Sequence, residues 1–110
     1  MGKANDKKVV KETRDLLLRS IGNLLESHRE RKFAYAQRPT PLPRRLFCRR
    51  NNLVGSTVSH IETGRFLGLN FNQLRIYLAT IYGRHDIAFA NSFKKVYDGL
   101  KEMDNLLTML

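Results

Sequence analysis

Few residues of this 110-residue chain could do covalent chemistry, and their spacing argues against catalysis. Ser59 and His60 are the residue types of a nucleophile and its base, but neighbours on a helix point in different directions. None of the three histidines has a histidine or the single cysteine at metal-ligand spacing. No glycine-rich phosphate loop opens a strand–helix unit. The sequence therefore predicts no enzyme, no catalytic residue, no metal and no cofactor.

The segment 56–65, STVSHIETGR, suggests hydrogen bonding to an external surface instead. Val58 and Ile61 stand three positions apart, which predicts the buried side of a short helix. The remaining side chains then face outward, and short hydroxyls and an imidazole can approach base edges and phosphates closely. These outward residues are Ser56, Thr57, Ser59, His60 and Thr63.

The charge of the chain predicts a polyanionic partner. The sequence has 20 Lys and Arg against 10 Asp and Glu, a net charge of +10. Residues 29–50 hold eight basic residues against Glu30 alone, so this segment carries +7. Seven of the eight are arginines, whose planar guanidinium suits phosphate better than a lysine ammonium does. Nucleic acid and an anionic membrane surface both fit such a patch, and a merely soluble basic surface is the alternative.

Helical periodicity dominates the sequence and predicts an all-α fold, because no segment alternates with period two. A long first helix is predicted from Val9 to about Arg31, after a frayed polar segment at 1–8. Three prolines then prevent a continuous helix, so a basic loop is predicted at 32–43, and it contains Arg38. This loop is interpreted either as an arm that touches the DNA backbone or minor groove, or as a solvated insertion.

Residues 44–63 have the pattern of two short helices joined by a turn. The first helix is predicted at 44–51 and buries Phe47 and Cys48. The Cys48 side chain is small enough for the two helices to pack closely. Asn52 tolerates the left-handed backbone that such a turn requires. The second helix is predicted from about Ser56, with Ser56 and Thr57 as capping residues and Gly64 ending it. Arg44 and Arg45 open the first helix, where they could hold a DNA backbone.

Two further helices are predicted after this pair. Asn70 is expected to cap a helix that Gly83 ends. Asn91 or Ser92 is expected to cap the last one, whose apolar residues follow heptad spacing. That seam predicts dimerisation, and packing on the chain's own core is the alternative. Its residues are Phe93, Val96, Leu100, Met103, Leu107 and Leu110.

Segment 44–83 resembles the lambda-repressor-like (Cro/repressor-type, XRE) helix-turn-helix family. The carrying residues are Phe47-Cys48, Asn52 and STVSHIETGR, while FNQLRIYLATIYG and IGNLLESHRERK resemble the helices on either side. The resemblance implies a five-helix domain, here with an extended first helix and a C-terminal dimerisation helix. It implies base contacts at Gly55, Ser56, Ser59 and His60, and phosphate contacts at Arg44, Thr63 and Arg65. Glu62 is interpreted as an intramolecular partner of an arginine.

The sequence thus predicts a helix-turn-helix domain at 1–90 and a dimerisation helix at 91–110. The expected function is a sequence-specific regulator of transcription, a repressor, acting as a homodimer on a palindromic double-stranded DNA operator. A partner-binding protein of the antitoxin type with autoregulatory DNA binding is the alternative, and an RNA-binding module is a third reading. No segment has the length of a membrane span or a signal peptide, so a cytoplasmic protein without a membrane partner is expected.

Overall fold

The computed structural model describes residues 3–32 and 42–110, and these contain five α-helices, one 3-10 turn and no strand. The all-α prediction is confirmed for this part of the chain. Arg38 and most of the predicted basic loop 32–43, residues 33–41, lie outside the described residues. The helices are α1 (Lys3–Lys32), α2 (Arg44–Asn51), α3 (Gly55–Glu62), α4 (Phe71–Tyr82) and α5 (Ile87–Met109), and the 3-10 turn is Phe66–Gly68.

The helix ends follow local hydrogen bonding, and some differ from the predicted ones. Asn70 caps α4 through a reciprocal pair of bonds with Gln73, as the sequence indicated. The predicted start of the last helix at Asn91 or Ser92 is wrong, because Asp86 accepts a bond from the Phe89 amide at 3.0 Å and starts α5 at Ile87. The predicted domain boundary at 90/91 therefore falls inside a helix.

Two further boundaries differ as well. The first helix begins at Lys3, so most of the segment expected to be frayed is helical. In α3 the predicted caps Ser56 and Thr57 lie inside the helix, and Val54 occupies the N-cap position. No side chain of the described residues accepts a bond there, so the first amides of α3 are not capped in that way.

The core forms where α1 crosses α3 at very short distance. A Cβ added to Gly22 would lie 2.7 Å from the Glu62 carbonyl oxygen, and one added to Gly64 would lie 2.8 Å from the Leu18 carbonyl carbon and oxygen. Gly64 also has a φ of 77°, which L side chains rarely adopt. Glycine at both positions therefore lets the two backbones touch and holds α3 in place.

The last helix packs along the first in the opposite direction. Arg14 of α1 forms an ion pair with Asp104 near the end of α5. His28 contacts Tyr82 at the end of α4, and the Tyr82 ring stacks on Phe93 near the start of α5. Residues late in α1 thus lie near the start of α5, and residues early in α1 near its end.

This packing places most of the predicted dimerisation seam inside the subunit. Leu100 and Leu107 are buried, and Phe93 and Met103 pack against the core of the same chain. Leu110 is half-buried, and only Val96, at 48% exposure, faces solvent. The heptad spacing correctly indicated an apolar face, but α1 and α4 occupy it.

Candidate nucleic-acid interface

Helices α2 and α3 are joined by a turn of the kind that the sequence predicted. Asn52 adopts a left-handed backbone with φ 56° and ψ 41°. The Leu53 amide donates to the Cys48 carbonyl at 2.9 Å, which closes the end of α2. Cys48 itself is 5% exposed, and its small side chain allows close helix contact. Asn51, the last residue of α2, donates from Nδ2 of its side chain to the Phe47 carbonyl at 2.9 Å.

The two sides of α3 are chemically distinct. Val58, Ile61 and Glu62 are at most 1% exposed and fix the helix against the core. The opposite side is polar: Ser56 and Thr63 are exposed, and Ser59 and His60 are half-exposed. The outward orientation predicted for this side is thus confirmed. Thr57, also predicted there, is exposed to the same intermediate degree as Ser59 and His60 and lies beside α4.

Hydrogen bonds within α3 and at its C-terminal end orient the polar groups of His60 and Thr63. His60 Nδ1 lies 2.7 Å from the Ser56 carbonyl oxygen, and a carbonyl only accepts, so Nδ1 donates and Nε2 is the ring nitrogen that makes no hydrogen bond with the described residues. Thr63 donates to the Ser59 carbonyl at 2.7 Å and accepts from Arg65 Nε at 3.1 Å. The Thr63 hydroxyl therefore holds the exposed Arg65 in position.

Behind the polar side, Glu62 forms the centre of a buried ion-pair cluster. Arg29 of α1 binds it with both nitrogens of its fork, Nε to Oε2 at 2.6 Å and Nη2 to Oε1 at 3.0 Å. Tyr77 of α4 donates to Oε2 at 2.6 Å, and Arg44 of α2 donates to Oε1 at 2.9 Å. Four helices thus meet at one carboxylate, which anchors the end of α3. The interpretation of Glu62 as an intramolecular partner of arginine is confirmed.

The surroundings of Glu62 keep it ionised. Burial by itself raises the pKa of the carboxyl, but hydrogen bonds from Arg29, Tyr77 and Arg44 together outweigh it and hold the pKa below its ordinary value. Burial, and then the bond to Glu62, raises the pKa of the Tyr77 hydroxyl far above its ordinary value. The cluster therefore stays charged at its centre and neutral at Tyr77 around neutral pH.

The guanidinium of Arg44, which was predicted to contact phosphate, is bound by two carboxylates of the same chain. Its guanidinium binds Glu62 and, through Nη2, also Glu26 of α1 at 2.7 Å. Only about a third of the Arg44 side chain is exposed. The reason is tertiary, because two carboxylates from other helices approach the first turn of α2. Arg44 is therefore a structural residue of the cluster.

The exposed arginines of α2 are the ones that remain for an external partner. Arg45, Arg49 and Arg50 are exposed and make no ion pair or hydrogen bond with the described residues. Arg45 and Arg49 are four residues apart and share one side of the helix. Arg49 was not among the predicted site residues, although this spacing could have identified it.

Gly55, predicted as a base-contacting position, is exposed and opens α3. A Cβ placed there would meet no described atom within 4 Å, and its φ is not positive. Nothing in this part of the fold therefore requires glycine at position 55.

Arg29 is the buried partner of Glu62 that the sequence did not identify by number. It lies on the core side of α1 with Leu18, Gly22 and Leu25, spaced four, three and four residues apart. Because Arg29 continues the spacing of an apolar stripe, the sequence could have predicted that its charge is buried. A buried charge requires a partner of opposite charge.

The described residues include no cluster of three or more His, Cys, Asp or Glu side chains arranged to hold a metal ion. None of the helices in the described ranges is both long and apolar enough to cross a bilayer. Comparison with known proteins finds no matching family model, no matching characterised protein and no matching solved structure.

Proposed function

We propose that the chain is a sequence-specific double-stranded DNA-binding regulator of transcription, a repressor, that inserts α3 into the major groove. The observation that carries the proposal is the arrangement of α2 and α3 around Asn52, with α3 anchored by Glu62 and its polar side exposed. An eight-residue helix with one polar side fits the major groove, and Ser59 and His60 Nε2 offer groups for base edges.

The basic residues and helix ends around this helix support a phosphate contact. Arg45 stands in the first turn of α2, where the helix dipole disfavours a cation but favours an anion. A phosphate bound there would interact with the Arg45 guanidinium and the first amides of α2 together. Because Gly55 has no side chain, a phosphate could approach the first amide of α3 as closely as those of α2. Such a contact would explain a glycine that the described fold does not require.

Replacing Arg45 by alanine is expected to weaken binding to all duplex sequences. The slope of log K against log salt concentration should fall by about one, because one phosphate contact is lost. Fluorescence anisotropy over a salt series measures this slope. Lys95→Ala on α5 removes the same charge from an exposed site and serves as the control.

Arg44→Ala should instead lower the thermal stability, because it leaves Glu62 and Glu26 with one partner fewer.

Replacing His60 or Ser59 by alanine is expected to reduce discrimination between sequences while leaving non-specific binding unchanged. Loss of one base-edge contact typically reduces discrimination by about 1–3 kcal/mol at the position read. The measurement compares affinities for a selected site and for single-base variants of it. His85→Ala, an exposed histidine after α4, is the matched control. Unchanged discrimination in both α3 variants would contradict base reading by this helix.

Selection of bound sequences from a random duplex library at physiological salt tests the function itself. A homodimeric regulator should enrich a palindrome with fixed half-site spacing. Failure to enrich any sequence would contradict sequence-specific binding. Preference for structured RNA over duplex DNA in a competition assay would favour the RNA-binding alternative.

A protein of the antitoxin type is the second candidate: in that case a different protein, and not a second copy of this chain, would cover Leu16 and Leu24 of α1, which are 58% and 52% exposed. A chain that aggregates on its own and becomes soluble with a partner would support that reading.

A further inference from the structure

The outer side of α1 carries a long stripe of exposed residues without a charge. Four of its members are large apolar residues between 42% and 61% exposed, and two are exposed hydroxyl residues. At about 100° per residue all six fall on one side of the helix, over roughly 24 Å. In chain order they are Val9, Thr13, Leu16, Leu17, Ser20 and Leu24.

This stripe is separate from the side of α1 that faces the core. Leu18 and Leu25 face the core and are 8% and 2% exposed, and Gly22 contacts α3. Single exposed apolar residues are ordinary, but four together on one side of a helix indicate an interaction surface.

The stripe has the same pattern when it is read in either direction. Its midpoint lies between Leu16 and Leu17, and Val9 and Leu24 are equally far from it. Thr13 and Ser20 are likewise equidistant. A second copy of α1 laid antiparallel would therefore place apolar residues opposite apolar ones and hydroxyls opposite hydroxyls. Such self-complementarity is what a two-fold interface requires.

The charges at the two ends of the stripe are complementary in the same register. Asp6 precedes it and Arg31 follows it on the same side of α1, and both are exposed. The Arg31 Nε lies 3.4 Å from the Ser27 carbonyl oxygen, so the guanidinium reaches back along the helix toward Ser27. In the antiparallel register Asp6 of one copy lies opposite Ser27 of the other. The Asp6 carboxylate would then meet the Arg31 guanidinium of the other copy, and by symmetry this pair would form twice.

We propose that α1 is the interface of a homodimer, in which two copies pair antiparallel with Leu16 and Leu17 beside the two-fold axis. A lipid surface fits less well, because the charges flanking the stripe are of both signs, with Glu12 and Asp15 beside Arg19. The proposal does not rest on DNA binding, and it assigns self-association to a different helix from the predicted seam on α5.

Sedimentation equilibrium of the full chain without nucleic acid tests the dimer. The wild-type chain should sediment at twice its chain mass. Leu16→Glu should raise the dissociation constant roughly a hundredfold or more, because burial of two leucines is lost and two carboxylates meet at the axis. Ile87→Glu changes an apolar residue that is 77% exposed on α5 and should leave the dissociation constant unchanged. A monomeric wild-type chain, or a dimer unaffected by Leu16→Glu, would overturn the proposal.

Cysteine cross-linking tests the register. Leu16→Cys should form an intersubunit disulfide on mild oxidation, because the two positions flank the axis. Thr13→Cys should not, since the two copies of residue 13 would be seven positions apart, about 10 Å, beyond disulfide reach. The native Cys48 is 5% exposed and should not interfere. Cross-linking of both variants would indicate a parallel pair and overturn the antiparallel register.

Charge exchange provides an independent check that does not depend on oxidation. Asp6→Arg and Arg31→Asp should each weaken the dimer, because each places like charges at both ends of the interface. The double variant should recover the wild-type dissociation constant. Both positions are exposed, so loss of folding is not expected in either variant. Additive weakening in the double variant would contradict the pairing of Asp6 with Arg31.

Discussion

Replacing Glu62 by glutamine is expected to lower the free energy of unfolding by about 3–5 kcal/mol, the cost typical of breaking a buried ion pair from one side. The Glu62 side chain is fully buried and that of Arg29 is 3% exposed, so the guanidinium would lose its counter-ion where water does not reach it. The Arg29 side chain cannot swing out easily, because it also donates to the Leu42 carbonyl at 3.0 Å and lies over the Phe47 ring. Urea denaturation at neutral pH measures the loss.

Glu26→Gln is the matched control for this prediction. Glu26 also binds Arg44, but its side chain is 34% exposed, so its removal should cost at most about 1 kcal/mol. Equal losses in the two variants would contradict the assignment of Glu62 as the centre of the cluster. A double variant in which Arg29→Met accompanies Glu62→Gln should recover part of the loss, because no buried charge then lacks a partner.

The same residue predicts how stability depends on acid. The folded-state pKa of Glu62 is lower than its unfolded value, so its contribution is present above the unfolded pKa and is lost as the pH falls through the folded pKa. The wild-type chain should therefore lose stability below about pH 4, the ordinary range of a glutamate, and Glu62→Gln should lack that part of the loss.

At the alkaline end the raised pKa of Tyr77 works in the opposite sense. The contribution of Tyr77 to the free energy of unfolding is present below its unfolded pKa. It falls once the pH exceeds about 10, where the unfolded tyrosine ionises. Tyr77→Phe should remove this alkaline part of the stability loss. Denaturation midpoints measured across pH check both ends of the range.

Replacing Gly64 by alanine is expected to cost about 3 kcal/mol, from a strained left-handed backbone and from overpacking together. The new Cβ would lie 2.8 Å from the Leu18 carbonyl carbon and oxygen, and backbone atoms of a packed helix cannot move aside cheaply. The loss should appear as a lower thermal midpoint. If the proposed function is right, the shift of α3 against α1 should also weaken duplex DNA binding at temperatures where the variant is folded.

Gly83→Ala separates the two causes. Gly83 has a φ of 65°, close to the 77° of Gly64, but the only described atom near its added Cβ is the end of the Lys32 side chain at 3.5 Å. This variant should therefore cost only the backbone strain, about 1 kcal/mol. If both variants lost the same stability, the close packing of α1 on α3 would not be what requires glycine at position 64.

Much of the local structure could be predicted because it depends on residues close together in sequence. The left-handed turn at Asn52, the cap at Asn70 and the end of α4 at Gly83 are each set by one side chain, or by the lack of one, and the backbone beside it. The buried side of α3 followed from the spacing of Val58 and Ile61. The start of α5 was missed because Asn91 and Ser92 are also good capping residues, and only the bond made by Asp86 distinguishes the true start.

In the candidate site, too, the features that depend on local sequence could be predicted and those that depend on contacts between helices could not. The polar residues on the outside of α3 were identified from its helical period. The role of Arg44 was not, because Glu26 and Glu62 approach it from two other helices, 18 residues away along the chain in each direction. Its neighbour Arg45, of identical chemistry, remains exposed.

By itself, then, the sequence determined how many helices there are, roughly where each lies and which of their sides are apolar or charged, since these properties depend on local propensity and on a period of 3.6 residues. Only the tertiary structure decided which surface meets which. It buried most of the heptad seam of α5 against α1 and α4, joined α1, α2, α3 and α4 at Glu62, and left the stripe from Val9 to Leu24 exposed. The physical reason is that the spacing of apolar residues shows which side of a helix is apolar. It does not show which other surface covers that side, because the hydrophobic effect is non-directional.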